Sequence, residues 1–481
     1  MSKKIILYLL YFFSILVFSK LIYHVFLSLE ENTPILLVKW VKIFLVLSSA
    51  FVLFKLINNR KISNLFFGVF LVLFSLSLRY WWIFNVNTEP ISDFSVMFHS
   101  AQKLMTGNIS AVRDNPYFIK YPSNIPFTAY QAIILFFSNS VLALKILNVI
   151  FGTLIVWLVY KISKLISGGP TGRITGLISA LYPPLIIYSS VLTNQTLSIF
   201  FMLLAIWMYF RKKNLIYVGA VLALANLIRP TITVFFIGLF VFMILTFIFE
   251  NKIDFFKSGK ILFLNLGKLA GSYFLVLMLL SFSFQWLEIS KHGLLNDPIP
   301  SYKLLVGLNP KTIGHYSTED ASLTDNLDTF EENAKPLIKE RLKDKTKLRT
   351  LLDEKFIKMW AKKDAGTYWA FTSNIKNKND FEFITLFEQY FYIFLIGMGI
   401  IFILLSLKFQ GASPLSPYLL FYLIILGFVL IYSVYEIQSR YRYEIYPLFI
   451  LIAGAGFAKL FFKTSHLGSI RSDDNEISPI K

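Results

Sequence analysis

Long apolar stretches, separated by shorter polar segments, recur along almost the whole chain of 481 residues. About 20 consecutive apolar residues form a helix long enough to cross the ~30 Å hydrocarbon core of a bilayer. The pattern therefore predicts an all-α polytopic membrane protein with about twelve transmembrane helices. The predicted spans are residues 5–29, 36–57, 64–84, 141–162, 173–191, 196–210, 214–228, 231–249, 261–284, 384–407, 415–434 and 445–463.

Basic residues in the short loops predict which side of the membrane each loop faces. Cytoplasmic loops carry an excess of lysine and arginine, so the N-terminus, with Lys3 and Lys4, is placed inside. Alternation then places residues 85–140 and 285–383 outside. The basic segments that fall inside are 58–61, 161–173, 211–213 and 252–260. Four cations fall outside despite the rule, which marks them as candidate functional residues: Lys120, Arg229, Arg440 and Arg442.

The predicted spans also divide the chain into parts. These are an N-terminal transmembrane module (1–284) with the outer loop 85–140, an extracytoplasmic region (285–383), C-terminal transmembrane helices (384–463) and a cytoplasmic tail (464–481). Within the region 285–383, an apolar residue recurs at every fourth position from Leu348 to Trp360, with lysines between. This spacing predicts an amphipathic helix over 346–363, resting on the rest of the loop and on anionic headgroups.

Two further helices are predicted in the outer loop 85–140. Ile125–Phe137 is apolar but too short to span a membrane, so we expect it to lie in the outer interface. Residues 93–105 carry apolar side chains at helical spacing, with Ser92 as a candidate N-cap and Gly107 as a stop. A plain amphipathic interface helix is the alternative for this stretch, and it is compatible with a functional site at its start.

Composition narrows the choice of function. Hydrophobic residues make up 56% of the chain and charged residues 16%, against near half and a quarter in a soluble domain. The net charge of +19 is assigned to membrane orientation and not to a nucleic-acid partner, because many of the cations lie in short loops. The absence of cysteine excludes disulfides and thiol catalysis, and the five histidines are scattered. Abundant Lys, Ile, Asn and Phe are typical of an AT-rich bacterium, which predicts a bacterial plasma membrane.

Charged residues at the outer boundary supply the candidate chemistry. Asp93 and Glu89 are carboxylates in the same outer region as the four cations. A carboxylate can take the proton of an acceptor hydroxyl, and cations can stabilise a phosphate leaving group. The alternatives are that Asp93 stabilises a helix N-terminus and that the late arginines anchor lipid headgroups. The chain has no Walker A loop and no Gly-x-Gly-x-x-Gly motif, which favours a lipid-linked phosphate donor over a nucleotide.

Four segments, in order, carry a family resemblance. They are Pro90-Ile91-Ser92-Asp93 with Ala101 and Gly107; Tyr117-Phe118-Ile119-Lys120-Tyr121-Pro122; Tyr182-Pro183-Pro184 with Thr193-Asn194-Gln195 and Leu227-Ile228-Arg229-Pro230; and Val434-Tyr435-Glu436-Ile437-Gln438-Ser439-Arg440-Tyr441 with Pro447. Together they resemble the GT-C superfamily of membrane glycosyltransferases, in the branch with protein O-mannosyltransferases and the lipid A aminoarabinose transferase. The second segment is similar to the family's Lys-Pro-Pro segment.

The resemblance implies an inverting sugar transfer from a polyprenyl-phosphate donor on the outer leaflet. By position, Asp93 matches the base, Lys120 a phosphate contact and Arg440 the arginine of the late outer loop. We predict the donor phosphate contacts to be Lys120, Arg440, Arg442 and Arg229, and further substrate contacts to be Glu89, Tyr121, Glu436, Gln438 and Tyr441.

The chain also departs from the family pattern. Many members have an Asp-Glu doublet where this chain has Phe94 second, and many have an acid where it has Asn194-Gln195. No cofactor is therefore predicted, and a divalent metal stays open. Three predicted spans precede the acidic loop, two more than the single span that is usual in the family.

The acceptor is an envelope glycan, lipid or protein, and the sequence does not name the sugar. A lipid-linked oligosaccharide flippase or exporter is an alternative function, although it should show internal repeats, which this chain lacks. A polysaccharide polymerase or ligase is a further alternative, since it too has a large outer loop.

Overall fold

The computed structural model describes residues 2–30, 62–250, 255–371, 378–408 and 416–461. Every element in this part of the chain is helical, as the hydropathy pattern predicts. The predicted span 36–57 and the predicted cytoplasmic tail lie outside the described residues.

The N-terminal half forms helices up to the predicted extracytoplasmic region. They are α1 (Ser2–Glu30), α2 (Asn64–Asn85), α3 (Asp93–Leu104), α4 (Ser110–Arg113), α5 (Pro116–Lys120), α6 (Ile125–Phe137), α7 (Val141–Ser167), α8 (Gly169–Leu181), α9 (Pro183–Ile187), α10 (Gln195–Phe210), α11 (Leu215–Ile228), α12 (Thr233–Glu250) and α13 (Phe255–Trp286). Short 3-10 turns lie at Pro122–Asn124 and Pro230–Ile232.

The rest of the described chain forms shorter helices and then three long ones. They are α14 (Tyr302–Gly307), α15 (Thr318–Ser322), α16 (Leu327–Lys343), α17 (Lys345–Phe356), α18 (Gly366–Ala370), α19 (Lys378–Lys408), α20 (Leu419–Val434) and α21 (Tyr446–Phe461). A 3-10 turn at Leu323–Asp325 precedes α16, and a π-helical turn at Ile357–Ala361 extends α17. The 3-10 turn Ser439–Glu444, called the arginine turn below, precedes α21.

Six of these helices are long and apolar enough to cross a membrane, within the described residues. They contain Ile5–Leu29, Asn64–Asn85, Val141–Ser167, Pro230–Phe249, Gly259–Trp286 and Phe381–Lys408. Four shorter apolar helices, α10, α11, α20 and α21, have 14 to 16 residues. The chain is thus a multi-pass membrane protein, whereas the total of twelve spans, their orientation and the division into parts stay predictions.

The predicted span 173–191 is not one continuous helix. Helix α8 ends at Leu181, Tyr182 adopts an extended backbone, and α9 starts at Pro183. Proline lacks a backbone N–H and restricts the residue before it, so the pair Pro183-Pro184 ends the preceding helix. The sequence already contained this break, and the uninterrupted apolar composition concealed it.

Helix α21 packs inside the helical bundle, since 12 of its 16 residues are buried. Gly454 packs directly on Thr175 of α8, and Gly456 packs on the backbone of Met398 in α19. A Cβ atom at either glycine would overlap its neighbour. Small residues of this kind let membrane helices approach closely. This close packing fixes the start of α21, and with it the arginine turn.

Helices form at both positions predicted within residues 85–140, whereas their place in the outer interface stays a prediction. Helix α6 has the predicted bounds, and α3 ends one residue earlier than predicted, at Leu104. Ser92 precedes α3 but makes no side-chain cap, and its φ of 51° is positive. A positive φ is uncommon for a residue other than glycine. Backbone strain of this kind gathers at functional sites, and here it directly precedes Asp93.

The region between α13 and α19 has a small apolar core of its own. It contains Ile299, Tyr302, Leu305, Val306, Leu308, Phe330, Ala334 and Ile338. Helix α17 and its π-helical turn cover most of the helix predicted over 346–363. They bury Leu351, Met359 and Trp360, and also Lys355, which the pattern placed on the polar face.

Candidate active site

Asp93 and Arg440 come together at one end of the helical bundle. Asp93 is the first residue of α3, and its carboxylate is half exposed. One of its oxygens, Oδ2, lies 3.9 Å from Nη2 of Arg440. This distance is too long for a hydrogen bond but short enough for strong attraction between the charges. The predicted base and one predicted phosphate contact therefore lie side by side at a partly exposed place, called the Asp93 cleft below.

Aromatic rings hold the guanidinium of Arg440 in place. Its central carbon lies 4.9 Å from the ring centre of Trp369, 5.1 Å from Phe94 and 5.6 Å from Tyr441. The negative faces of these rings attract the cation. The backbone carbonyl of Arg440 accepts a hydrogen bond of 3.0 Å from Nε2 of Gln195. Main chain and side chain are both fixed, so the cation is positioned before any ligand arrives.

A second ion pair joins the outer loop to the chain just before the arginine turn. Lys303 of α14 pairs with Glu436, and Gln438 Nε2 donates a 3.0 Å hydrogen bond to the same carboxylate. Burial alone would raise the pKa of Glu436, but Lys303 and Gln438 outweigh it and hold the pKa below its usual value. Glu436 is thus a buried, charged anchor between α14 and the arginine turn.

Two tyrosines bridge these ion pairs. Tyr117 and Tyr121 of the α5 segment have ring centres 5.4 Å apart. Burial raises the pKa of Tyr117, the charge of Asp93 raises it further, and Arg440 opposes both. Burial also raises the pKa of Tyr121, which lies within electrostatic range of Lys303 and Asp93. Both phenols therefore stay protonated at neutral pH and can donate hydrogen bonds in the cleft.

The structure pairs Lys120 with Asp325, and not with Asp93 or Arg440. Nζ of Lys120 is 3.1 Å from Oδ1 of Asp325, and the two side chains are 25% and 75% exposed. Exposed ion pairs of this kind contribute at most about 1 kcal/mol, so a stronger anion can displace Asp325. Glu89 is exposed, ahead of α3.

Arg229 supports the arginine turn from the side. It pairs with Glu444 and donates a 3.2 Å hydrogen bond to Oδ1 of Asn194. Its guanidinium carbon also lies 5.1 Å from the ring centre of Tyr441. Gln195 donates a 3.1 Å hydrogen bond to Glu444 as well. The amides at 194 and 195, where the resembling family often has an acid, thus brace the turn in this chain.

Arg442 is completely buried behind the cleft. It donates hydrogen bonds of 2.9 Å and 2.7 Å to the backbone carbonyls of Trp360 and Lys362. Its Nη2 also lies 3.9 Å from Asp364, which accepts hydrogen bonds from the hydroxyls of Tyr188 and Tyr446. Burial raises the pKa of Asp364, although Arg442 opposes it. In this arrangement Arg442 positions the arginine turn against the outer loop.

Sequence reasoning missed several residues of this arrangement. Lys303, Trp369 and Asp364 all come from the region 285–383, which was predicted only as a small extracytoplasmic part. None of them stands in a motif, and short helices such as α14 and α18 leave no clear periodicity. Arg440 was singled out because it breaks the positive-inside rule. That rule applies to short loops, so it gives no signal for a lysine in a long predicted outer loop. Among the described residues, His, Asp and Glu form no group of three that could hold a metal.

The comparison with protein families adds an independent finding. Residues 125–266 match the model of the family described as dolichyl-phosphate-mannose-protein mannosyltransferase. This match supports a membrane glycosyltransferase of the GT-C type. The predicted resemblance is confirmed. No curated protein matches the chain.

The matched segment covers less than a third of the chain. It contains Asn194, Gln195 and Arg229, but it ends before the arginine turn and starts after Asp93 and Lys120. The roles of the residues in the cleft therefore rest on their geometry and remain proposals.

Proposed function

We propose that this glycosyltransferase moves a sugar from a polyprenyl-phosphate donor to an extracytoplasmic acceptor, with inversion at the anomeric carbon. The observation that carries the proposal is the juxtaposition of the half-exposed Asp93 carboxylate with Arg440, 3.9 Å apart. A base and a fixed cation side by side suit a reaction in which a hydroxyl loses a proton while a phosphate leaves. The many apolar helices suit a donor dissolved in the membrane.

In the proposed reaction, Asp93 accepts the proton of the acceptor hydroxyl. The hydroxyl oxygen attacks the anomeric carbon, and the bond from that carbon to the phosphate oxygen breaks. The leaving polyprenyl phosphate takes the electron pair. Arg440 then stabilises the negative charge that builds on the phosphate, and its planar fork suits two phosphate oxygens.

Lys120 is the second proposed phosphate contact. Its exposed partner Asp325 would be exchanged for the donor phosphate, which carries one negative charge as a diester and gains a second as the sugar leaves. Arg229 and Arg442, each paired within the protein, are proposed to hold the arginine turn in position and not to touch the phosphate.

The proposed sugar contacts are Tyr121, Glu436, Gln438 and Tyr441. Tyr441 is nearly buried between Arg229 and Arg440, and Gln438 is half-buried beside Glu436. Hydroxyl groups of a sugar need both donors and acceptors, which these side chains supply. Glu89 stays a weaker candidate, because it is exposed ahead of α3.

The central test is Asp93→Asn. We expect sugar transfer to fall by about 10²–10⁴-fold, the usual cost of removing a general base, while binding of farnesyl phosphate stays near the wild-type value. Glu89→Gln, a neighbouring exposed carboxylate, is the matched control and should cost much less. Transfer would be measured with the purified protein in nanodiscs and a polyprenyl-phosphate sugar. Near-normal transfer in Asp93→Asn would rule out Asp93 as the base.

A further inference from the structure

An open groove of about 610 Å³ follows helix α3 from Val96, one turn after Asp93, to Lys103. One wall is formed by Val96, Ser100 and Lys103. These residues follow Asp93 at intervals of three, seven and ten, so all four lie on one face of the helix. The volume lies within the range of ligand sites. The face of α3 that presents the proposed base thus continues as the wall of the groove.

The opposite wall ends at the start of helix α5. It runs from Ser110 through Asp114 to Pro116. Pro116 starts helix α5, and the next residue is Tyr117, which lies within electrostatic range of Asp93 and Arg440. One wall therefore starts one turn after Asp93 on α3, and the other ends at Pro116, the residue before Tyr117.

The chemistry of the lining indicates what the groove can hold. Hydroxyls of Ser100 and Ser110, the imidazole of His99 and the amide of Asn115 supply both donors and acceptors. Lys103 and Asp114 contribute one charge of each sign, so the lining carries no excess charge for a polyanion. Three of its nine lining residues are apolar, and the groove is open to solvent, so it offers no enclosed apolar channel for a lipid tail.

We propose that this groove, called the α3 groove, binds a neutral, hydroxyl-rich glycan as the acceptor and presents one of its hydroxyls to Asp93. The proposal rests on the proposed function, since it takes Asp93 as the base. The glycan chain lies along α3, with its reacting end at Asp93 and the following sugars towards Lys103. A peptide acceptor is the competing outcome of the test.

The test fills the groove from one wall. Ser110 is exposed and lines the groove, so Ser110→Trp blocks it without removing a buried contact. Thr106→Trp is the matched control, because Thr106 is also exposed in the same loop but does not line the groove. Lys103→Trp, on the opposite wall, gives a second variant. Farnesyl phosphate binding, measured alongside, reports whether each variant is folded.

The probes are neutral oligosaccharides of glucose, mannose, galactose and N-acetylglucosamine, and a hexapeptide rich in serine and threonine. Binding to the full chain in nanodiscs would be followed by saturation-transfer NMR. We expect at least one oligosaccharide to bind, with an affinity at least tenfold lower in Ser110→Trp or Lys103→Trp and unchanged in Thr106→Trp. Binding of the peptide alone, of none of the probes, or equally to all variants would overturn the glycan proposal.

The same experiment separates this inference from the proposed function. If oligosaccharides bind and the tryptophan variants block them, while farnesyl phosphate fails to bind the wild type, the groove stands and the lipid-phosphate donor is wrong. If farnesyl phosphate binds but no oligosaccharide does, the donor site stands and the glycan groove is wrong.

Discussion

Arg440 is a cation held by three aromatic rings, and its nearest carboxylate, Asp93, is just beyond hydrogen-bond distance. Rings fix the plane of a guanidinium without using up its N–H groups. Such an arginine can bind an incoming anion without first losing strong hydrogen bonds. Lysine has no planar face and donates from a single point, so Arg440→Lys should not restore the function of this position.

A double-mutant cycle tests the shared phosphate. Arg440→Ala and Lys120→Ala should each weaken farnesyl phosphate binding by about 1.5–3 kcal/mol, the range for a hydrogen bond to a charged group. The double variant should lose less than the sum, because both cations serve one anion. Calorimetry would give the affinities. Arg349→Ala removes an exposed arginine of α17 and is the control. Unchanged affinity in both single variants would argue against the phosphate site.

Lys355 should make stability depend on pH. Its amine is buried, and it donates hydrogen bonds of 2.6 Å and 2.9 Å to the carbonyls of Gly307 and Tyr435. Burial lowers its pKa to about 7, whereas an unfolded lysine titrates near 10.4. Between these values the unfolded state binds more protons, so stability rises with pH.

Replacing Lys355 with methionine should remove this rise. The melting temperature of the wild type, compared with Lys355→Met, should increase from pH 7 to pH 9. Lys358→Met changes an exposed lysine one turn away and should leave the pH dependence unchanged. A constant difference between wild type and Lys355→Met across this range would show that the buried amine does not titrate there.

At single positions, the sequence singled out Arg440 because it breaks the positive-inside rule, and Asp93 because it is a carboxylate at the predicted membrane boundary. It did not predict Lys303, whose meaning depends on Glu436, a residue more than a hundred positions later. Nor could it separate Arg442 from Arg440, since only the fold decides that Arg442 is completely enclosed while Arg440, although buried, lies 3.9 Å from Asp93. The sign of a charge helps to predict the side of the membrane on which a residue lies. The partner of that charge depends on how the helices pack.

At the scale of elements, α14 ends directly on the end of α20. A Cβ atom at Gly307 would overlap the backbone of Val434 and Tyr435. Gly307→Ala should therefore push apart α14, with Lys303, and the segment that carries Glu436. We expect a stability loss of about 1–3 kcal/mol, as for other overpacked sites, and weaker farnesyl phosphate binding.

Gly267→Ala is the control for this change. Gly267 lies in α13, and a Cβ atom there would have nothing within 4 Å. Thermal unfolding and phosphate binding would be measured for both variants in the same detergent. Equal behaviour of Gly307→Ala and Gly267→Ala would mean that the contact between α14 and α20 does not position the site.

Element boundaries followed the sequence where local signals were strong. Helix α6 begins after a proline turn and was predicted to the residue. Helix α8 was predicted too long, because the mean hydropathy of the segment stays high across Pro183 and Pro184, whereas these prolines end the helix. The short helices α14 and α18 were missed, since a single turn has no measurable period.

For the whole molecule, the orientation in the membrane is the prediction to test. Thr106→Cys lies in the predicted outer loop and Lys213→Cys in a predicted inner loop, and both positions are exposed. Because the chain has no cysteine of its own, each variant reports one place. An impermeant maleimide should label Thr106→Cys in intact cells and Lys213→Cys only after lysis. The opposite pattern would refute the topology and the outer position of the cleft.

The class of molecule could be predicted from the sequence. Apolar stretches and the order of several weak motifs are properties of the whole chain, and they do not depend on the exact position of any one residue. The family match supports that class over residues 125–266. The assembly of the cleft was not accessible. The cleft forms only where α3, the arginine turn and the region 285–383 meet. A hydropathy pattern predicts where helices lie in the sequence, but it does not predict which helix ends become neighbours in the fold.

The two hydrogen bonds of Arg442 to the carbonyls of Trp360 and Lys362 have a consequence for the history of such chains. A side chain that donates to main-chain oxygens restrains the path of the backbone through contacts that do not depend on the identity of the residues that supply those oxygens. Related proteins could therefore diverge through this loop while keeping its shape. Homology in this loop would then be easier to detect by superposing the backbones of two structures than by aligning their sequences.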